Sequence, residues 1–169
     1  MLNKLHASPI KPSRVVVLGS GFIGGAITEN LIADSIEVLP LTSSSFNLLD
    51  QGAAEKLASQ LRADDVLVFT SAKAPCKDVE MLQENIQMVK AVGQALSLQS
   101  VSQLIYISSD AVYKDSKTPI SEKSCAEPQS LHGLMHLARE IILRQQYQGP
   151  FTIVRPTLVY GINDPHNGY

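Results

Sequence analysis

The sequence predicts an α/β domain in which helices cover both faces of a doubly wound parallel sheet, a three-layer α/β/α arrangement. Two observations support this fold class. From residue 14 onwards, short runs of Val, Ile and Leu alternate with longer amphipathic stretches, which is the pattern of βαβ units around a buried parallel sheet. The length of 169 residues and the hydrophobic content of 44% suit one globular domain with its own core.

The individual elements follow from the spacing of apolar residues. Strands are predicted at residues 15–18, 36–41, 46–48, 66–70, 104–108 and 152–155, of which 46–48 is the least regular. Apolar residues recur three and four apart, as in amphipathic helices, at 23–33, 53–61, 79–98 and 131–146. Right-handed crossovers between successive strands would place these helices on the two faces of the sheet.

Composition excludes several classes of protein. The net charge is -2 and no Lys/Arg cluster occurs, so we expect no nucleic-acid partner. No apolar run reaches the roughly 18 residues that a membrane span needs, so we expect that the chain does not interact with a membrane.

The two cysteines, Cys76 and Cys125, form neither a disulfide framework nor a zinc motif. Residues 1–13 lack the features of a secretory signal and are expected to be a flexible tail, and the location is expected to be cytoplasmic.

A glycine-rich turn follows the first predicted strand and opens the first predicted helix. Its spacing is G-x-G-x-x-G, which predicts a dinucleotide site, because the first glycine permits the turn, the second admits a diphosphate and the third allows close packing. The predicted cofactor-binding residues here are Gly19, Ser20, Gly21, Phe22, Ile23 and Gly24.

The choice between NAD and NADP stays open. An NAD site usually has an acidic residue after the second strand, where it bonds the ribose. Here Thr42 and Ser43 follow that strand, and their hydroxyls are predicted to contact the cofactor. This position has neither a carboxylate, which would disfavour the 2′-phosphate of NADP, nor an Arg, which would attract it.

Several further motifs occur in order along residues 14–161. They are Asn47-Leu48-Leu49-Asp50, Phe69-Thr70-Ser71-Ala72-Lys73, Asn85, Tyr106-Ile107-Ser108-Ser109-Asp110-Ala111-Val112-Tyr113, and Ile153-Val154-Arg155-Pro156-Thr157-Leu158-Val159-Tyr160-Gly161. Together with the glycine turn, these motifs resemble those of the extended short-chain dehydrogenase/reductases, the NAD-dependent epimerase/dehydratase family. The resemblance implies a Rossmann-type NAD(P)-binding domain over 14–161.

The resemblance also implies roles for individual residues. Asn47 and Leu48 would contact the adenine, while Ser71, Ala72 and Lys73 would pass under the cofactor. Asn85 would steady that segment, and Pro156 would lie near the cofactor at the end of the last strand. Ser109 matches the family's catalytic serine or threonine.

One departure affects the chemistry directly. Where the family has a Tyr-x-x-x-Lys pair on a helix, this chain has His132 and His136, and a spacing of four keeps both on one helix face. Three hypotheses stay open. His132 acts as the acid/base, with His136 at the cofactor ribose and Ser109 at the substrate oxygen; or the pair is a relic in a domain that only binds dinucleotide; or the pair binds a metal, for which it lacks further ligands.

The resemblance implies hydride transfer between a nicotinamide cofactor and a nucleotide sugar or related hydroxyl substrate. The alternative is a non-catalytic dinucleotide-binding or redox-sensing module with a degenerate active site. Family members form homodimers through their long helices, so a homodimer is a further expectation. Because extended members are about twice as long, residues 162–169 are expected to begin a truncated substrate-binding region, and the 169-residue chain alone is expected to be inactive.

Overall fold

The computed structural model describes residues 10–162 and residue 164. The elements are β1 (Arg14–Leu18), α1 (Phe22–Ala33), β2 (Glu37–Leu41), α2 (Ala53–Gln60), β3 (Val66–Phe69), α3 (Val79–Leu98), β4 (Gln103–Ile107), α4 (Leu131–Gln146) and β5 (Phe151–Val154). A short 3₁₀ turn, Asp110–Val112, precedes α4 and was not predicted. The four helices and five of the six predicted strands are confirmed within two residues at each end.

The strands form one parallel sheet in the order β2-β1-β3-β4-β5. All five residues of β1 are buried, because this strand lies inside the sheet with helices on both faces. The edge strand β2 contains Pro40, which an edge tolerates because a proline has no N–H to donate to a neighbouring strand. The predicted fold class, a three-layer α/β/α Rossmann-type sheet, is confirmed.

Alternate residues of β1 point to opposite layers. Val16 and Leu18 belong to a large core shared with helices α2, α3 and α4. Val15 and Val17 belong to a smaller core, against which Ile27 of α1 packs.

The strand predicted at 46–48 is wrong. Thr42 to Ser45 form a turn in which the Phe46 amide donates to the Thr42 carbonyl at 2.7 Å. The Asn47 side chain then accepts a hydrogen bond from the Leu49 amide at 3.1 Å, a local bond that competes with strand pairing. Phe46 and Leu48 are nevertheless buried in the large core. The apolar pattern therefore reflected burial of a loop and not a sixth strand.

Parts of the predicted terminal segments lie outside the described residues, namely 1–9, 163 and 165–169. Within the predicted tail 1–13, Lys11 Nζ donates to the Asp34 carbonyl at 3.0 Å, and Ser13 Oγ donates to Asp64 Oδ2 at 2.7 Å. The segment next to β1 is therefore bonded to the domain.

Among residues 10–162 and 164, we find no helix whose length and hydropathy would let it span a membrane.

Candidate functional site

An open cleft of about 920 Å³ lies at the carboxyl ends of the central strands. The chain leaves β1 towards β2 on one side and returns to β3 on the other, so the cleft is at the topological switch point where α/β sheets bind ligands. Its lining includes twelve of the predicted cofactor residues: Gly19, Ser20, Gly21, Phe22, Ile23, Gly24, Ser43, Asn47, Leu48, Ser71, Ala72 and Lys73. Thr70 and Leu158 also line it and were not predicted to bind the cofactor.

The three glycines of the turn meet different constraints. Gly19 has a φ of +111°, which favours glycine, and a Cβ there would lie 2.6 Å from Thr70 Oγ1. A Cβ on Gly24 would overlap the carbonyl oxygen of Gly19. A Cβ on Gly21 would meet no atom within 4 Å, so the space beside Gly21 is open for a ligand.

Helix α1 begins at this open space. Gly21 is its N-cap, and no side chain caps the first turn. The exposed N–H groups and the positive end of the helix dipole form a site that suits a phosphate. The residues present therefore fit the diphosphate of a dinucleotide.

The floor of the cleft is tied to β1 by hydroxyl groups. Thr70 Oγ1 donates to the Gly19 carbonyl at 2.9 Å, and Ser71 Oγ donates to the Leu18 carbonyl at 2.9 Å. These bonds join the end of β3 to the glycine turn, so the two segments are held in fixed positions relative to each other.

Asn85 of α3 is fully buried and holds the next residues of the floor. Its Oδ1 accepts from the Lys73 amide at 3.1 Å, and its Nδ2 donates to the Lys73 carbonyl at 2.9 Å. The Lys73 ammonium is paired with Glu84 at 2.8 Å at the surface. Asn85 does not line the cleft, and its contact with a cofactor stays a prediction.

On the other side of the cleft, the predicted adenosine-binding residues are part of tight turns. Thr42 Oγ1 lies 2.7 Å from Ser44 Oγ, while Asn47 Nδ2 donates to Asp50 Oδ1 at 2.8 Å. Asn47 lines the cleft and Thr42 does not.

Ser109 lies outside the lining of the cleft, at the start of the 3₁₀ turn. Its Oγ accepts from the Ala111 amide at 3.1 Å and donates to Asp110 Oδ1 at 3.3 Å. The Pro156 carbonyl accepts from the Asp110 amide at 3.1 Å, so the end of β5 is bonded to the same turn. The catalytic role of Ser109 and the cofactor contact of Pro156 stay predictions.

A buried ion pair supports this region. Glu140 of α4 is 1% exposed and accepts from Arg155 Nη2 at 2.6 Å and from Ser108 Oγ at 2.7 Å. Arg155 Nη1 also donates a hydrogen bond to the Tyr113 hydroxyl, and this bond connects the segment after the 3₁₀ turn to the ion pair. The contacts among these four residues were not predicted, because the partners come from separate parts of the sequence.

His132 is half-buried at the start of α4. Its Nδ1 accepts from the Cys76 amide at 3.4 Å, so the neutral ring carries its proton on Nε2. Burial lowers the pKa of His132 below its ordinary value, although the Asp110 carboxylate acts in the opposite direction. His132 is therefore a neutral imidazole at neutral pH.

His136 is 5% exposed and lies one turn further along α4. Its Nδ1 is 2.7 Å from the Tyr106 hydroxyl, and its ring makes an edge contact with that of His132 at 4.7 Å between centroids. Burial, with the charges of Arg139 and His132, lowers the pKa of His136 to about 3. Since His136 is neutral, the positive charge of the family's lysine is absent at this position.

Neither histidine lines the cleft, and their predicted catalytic roles stay predictions. Within the part of the chain that the structure describes, no group of three or more His, Cys, Asp or Glu side chains is placed to hold a metal ion.

The fold, the glycine turn and the uncapped helix define this chain as a dinucleotide-binding domain. Residues 15–168 match the model of the NAD dependent epimerase/dehydratase family. The chain belongs to that family, and this confirms the predicted class of cofactor, a nicotinamide dinucleotide.

Three relatives illustrate the similarity. The chain is 29% identical to N-acetyl-alpha-D-glucosaminyl-diphospho-ditrans,octacis-undecaprenol 4-epimerase of Escherichia coli O157:H7, over 92% of this chain and 51% of that protein. It is 26% identical to methionine adenosyltransferase 2 subunit beta of Xenopus laevis, over 89% of this chain and 48% of that protein. UDP-glucose 4-epimerase of Thermus thermophilus, solved with NAD, superposes with a TM-score of 0.72 at 22% identity, over 84% of this chain and 54% of that one. The chain spans about half the length of the curated relatives that it matches.

Proposed function

We propose that this chain binds NAD or NADP in the cleft at the switch point and forms the cofactor-binding half of an oxidoreductase that acts on a sugar diphosphate. The observation that carries the proposal is the open space beside Gly21, which adjoins the uncapped first turn of α1. No side chain of the described residues caps that turn, so its amides are available to a diphosphate.

The proposed substrate is a sugar diphosphate, such as a nucleotide sugar. Support comes from the relatives, since one is named for a UDP-sugar and another for a sugar diphosphate on a lipid carrier. A sugar joined to a diphosphate is common to both names.

The proposed chemistry is reversible oxidation of a sugar hydroxyl. A bound nicotinamide cofactor would supply the hydride acceptor for such an oxidation, and a residue of the protein would take up the hydroxyl proton. His132 is the proposed base. To act as a base, the ring must present an unprotonated Nε2 to the substrate hydroxyl, so its own proton must move to Nδ1. That tautomer requires release of the hydrogen bond that Nδ1 accepts from the Cys76 amide. At 3.4 Å that amide contact is long and correspondingly weak.

A second candidate is a dinucleotide-binding module without turnover. It is favoured by the hydrogen bonds that occupy the groups in the catalytic positions: Ser109 caps a turn, and His136 is a neutral buried partner of Tyr106. One relative is named as a subunit of methionine adenosyltransferase, a name that is not that of an epimerase.

Titration of the chain with NADH and NADPH tests the binding proposal. Gly21 has φ -66° and ψ -166°, an extended conformation that residues other than glycine can adopt, so Gly21→Val should fold and fill the diphosphate space. We expect binding to weaken by about 10- to 100-fold, the equivalent of one or two lost charge-assisted hydrogen bonds.

The matched control is Gly25→Ala, four residues further along, where a Cβ would make an ordinary contact at 3.6 Å with the Ser20 carbonyl. This variant should bind like the unsubstituted chain. Equal affinity of the Gly21→Val variant and the unsubstituted chain would contradict the proposed site. Turnover in a protein that also contains the substrate-binding half, measured as reduced cofactor formed with a panel of UDP-sugars, separates the first candidate function from the second.

A further inference from the structure

Helix α4 carries a guanidinium that is completely buried behind the floor of the cleft. Arg139 is 0% exposed, and its guanidinium carbon lies 4.5 Å from the ring centroid of Phe69 and 5.2 Å from that of Tyr106. Phe69 ends β3 and Tyr106 is the penultimate residue of β4. The charge is therefore enclosed at the carboxyl ends of two neighbouring strands.

No carboxylate among the described residues forms an ion pair with Arg139. The adjacent Glu140 is paired with Arg155, and Nε of Arg139 has no hydrogen-bond partner. Burial of a charge without a counter-ion is strongly unfavourable. Hydrophobic packing alone does not account for a charged residue here, whereas hydrogen bonds to buried acceptors do.

Those hydrogen bonds lead to the floor of the cleft. Nη2 donates to the Ser71 carbonyl at 2.6 Å, and Nη1 donates to Asn85 Oδ1 at 3.2 Å. Asn85 bonds both the amide and the carbonyl of Lys73. One planar guanidinium therefore holds segment 71–73 at both ends, directly at Ser71 and through Asn85 at Lys73.

We propose that Arg139 is a positioning residue for the cofactor site, whose two-pronged hydrogen bonding to Ser71 and Asn85 fixes segment 71–73 in the shape that receives the nicotinamide half of a dinucleotide. The proposal rests on the proposed function for the identity of the ligand. The hydrogen bonds from Arg139 to Ser71 and Asn85, called the clamp below, are contacts within the chain and do not depend on that ligand. Arginine suits this role because its planar fork reaches two acceptors at once, whereas a lysine presents a single ammonium.

The test uses Arg139→Met, Arg139→Lys and the control Arg144→Met, since Arg144 is exposed on the same helix. Hydrogen exchange of the peptide that contains residues 71–73 measures the clamp without any ligand. Titrations with NADH and with AMP measure its effect on binding, because AMP lacks the nicotinamide half. Thermal unfolding shows whether each variant is folded.

We expect faster exchange at residues 71–73 in both Arg139 variants, NADH binding about tenfold weaker, and AMP binding changed by less than about twofold. Arg144→Met should resemble the unsubstituted chain in all three measurements. Unchanged exchange, or an equal loss of NADH and AMP binding, overturns the proposal, and so does full recovery of NADH binding in Arg139→Lys. If the unsubstituted chain binds no dinucleotide, the proposed function fails, whereas the exchange result still decides whether Arg139 is a clamp.

Discussion

The hydroxyl oxygen of Tyr106 lies 2.7 Å from Nδ1 of His136, inside the core between β4 and α4. Burial raises the pKa of Tyr106 to about 12, and burial lowers the pKa of His136 to about 3. Both side chains are therefore neutral over the whole physiological range. The bond between them connects the central sheet to the helix that carries the predicted catalytic pair.

The neutral state of His136 predicts how stability depends on pH. His136 takes up a proton near pH 6.5 in the unfolded chain and near pH 3 in the folded chain. The free energy of unfolding should therefore be highest above pH 6.5 and fall as the pH is lowered towards 3, by up to about 1.4 kcal/mol per pH unit. His132, whose pKa is also lowered, contributes in the same direction.

The pH dependence can be measured by urea unfolding between pH 7 and pH 5, a range above the ordinary pKa values of carboxylates. In His136→Gln, which does not titrate but can still accept from Tyr106, the slope should be smaller. An unchanged slope would show that His136 is not the group responsible.

A second prediction concerns turnover. If His132 is the proton acceptor, His132→Phe in a protein that also contains the substrate-binding half should abolish reduction of the cofactor by UDP-sugars while NADH binding is retained. The rate should also decline at acidic pH as His132 becomes protonated, with the midpoint displaced below the ordinary imidazole pKa because burial lowers it. Leu134→Ala, on the exposed part of the same helix, is the control. Undiminished turnover in His132→Phe would exclude the acid/base role.

A third prediction concerns the packing of α4 on the 3₁₀ turn. A Cβ on Gly133 would overlap the carbonyl oxygen of Ala111, so Gly133→Ala must separate α4 from the turn that begins after Ser109. We expect a loss of about 1–3 kcal/mol in unfolding free energy. Gly25→Ala, which has space, should be neutral or stabilising by up to about 1 kcal/mol. Equal effects of the two substitutions in thermal unfolding would contradict this packing.

The ion pair at the start of β1 supplies a fourth prediction. Arg14 Nη2 lies 2.6 Å from Asp65 Oδ2, and the Asp65 side chain is completely buried. Asp65→Ala leaves the guanidinium without its partner and should cost about 3–5 kcal/mol in chemical denaturation. Removal of Glu37, whose surface pair with Arg62 spans 3.5 Å, should cost less than about 1 kcal/mol. A small effect of Asp65→Ala would show that water reaches Arg14.

Local patterns predicted most of the secondary structure. Helices α3 and α4 match their predicted bounds because both have helical periodicity and a polar residue at the N-cap: Asp78 accepts from the Met81 amide, and Ser130 accepts from the Gly133 amide. The segment 46–48 has the same kind of apolar content as a strand. Its turns at Thr42 and Asn47 depend on side-chain hydrogen bonds, which an apolar pattern does not reveal.

The cleft was predicted largely from sequence because its residues follow strands directly, and parallel strands bring their carboxyl ends to one edge of the sheet. Residues that act at a distance were missed. Arg139 lies on the same face of α4 as the buried residues Met135 and Leu143. A charged residue on an apolar helix face was the one sequence feature that could have indicated a buried role for Arg139. Its partners Ser71 and Asn85 lie 68 and 54 residues away, so spacing could not identify them.

The amino-acid sequence by itself determined the parallel α/β sheet, the glycine turn and the class of ligand, because each depends on short-range periodicity or on glycine conformation. Only the tertiary structure decided the charge states of His132 and His136 and the position of Arg139. These properties arise from burial and from contacts between β3, β4, α3 and α4, since the cost of a charge depends on its surroundings and not on its neighbours in sequence.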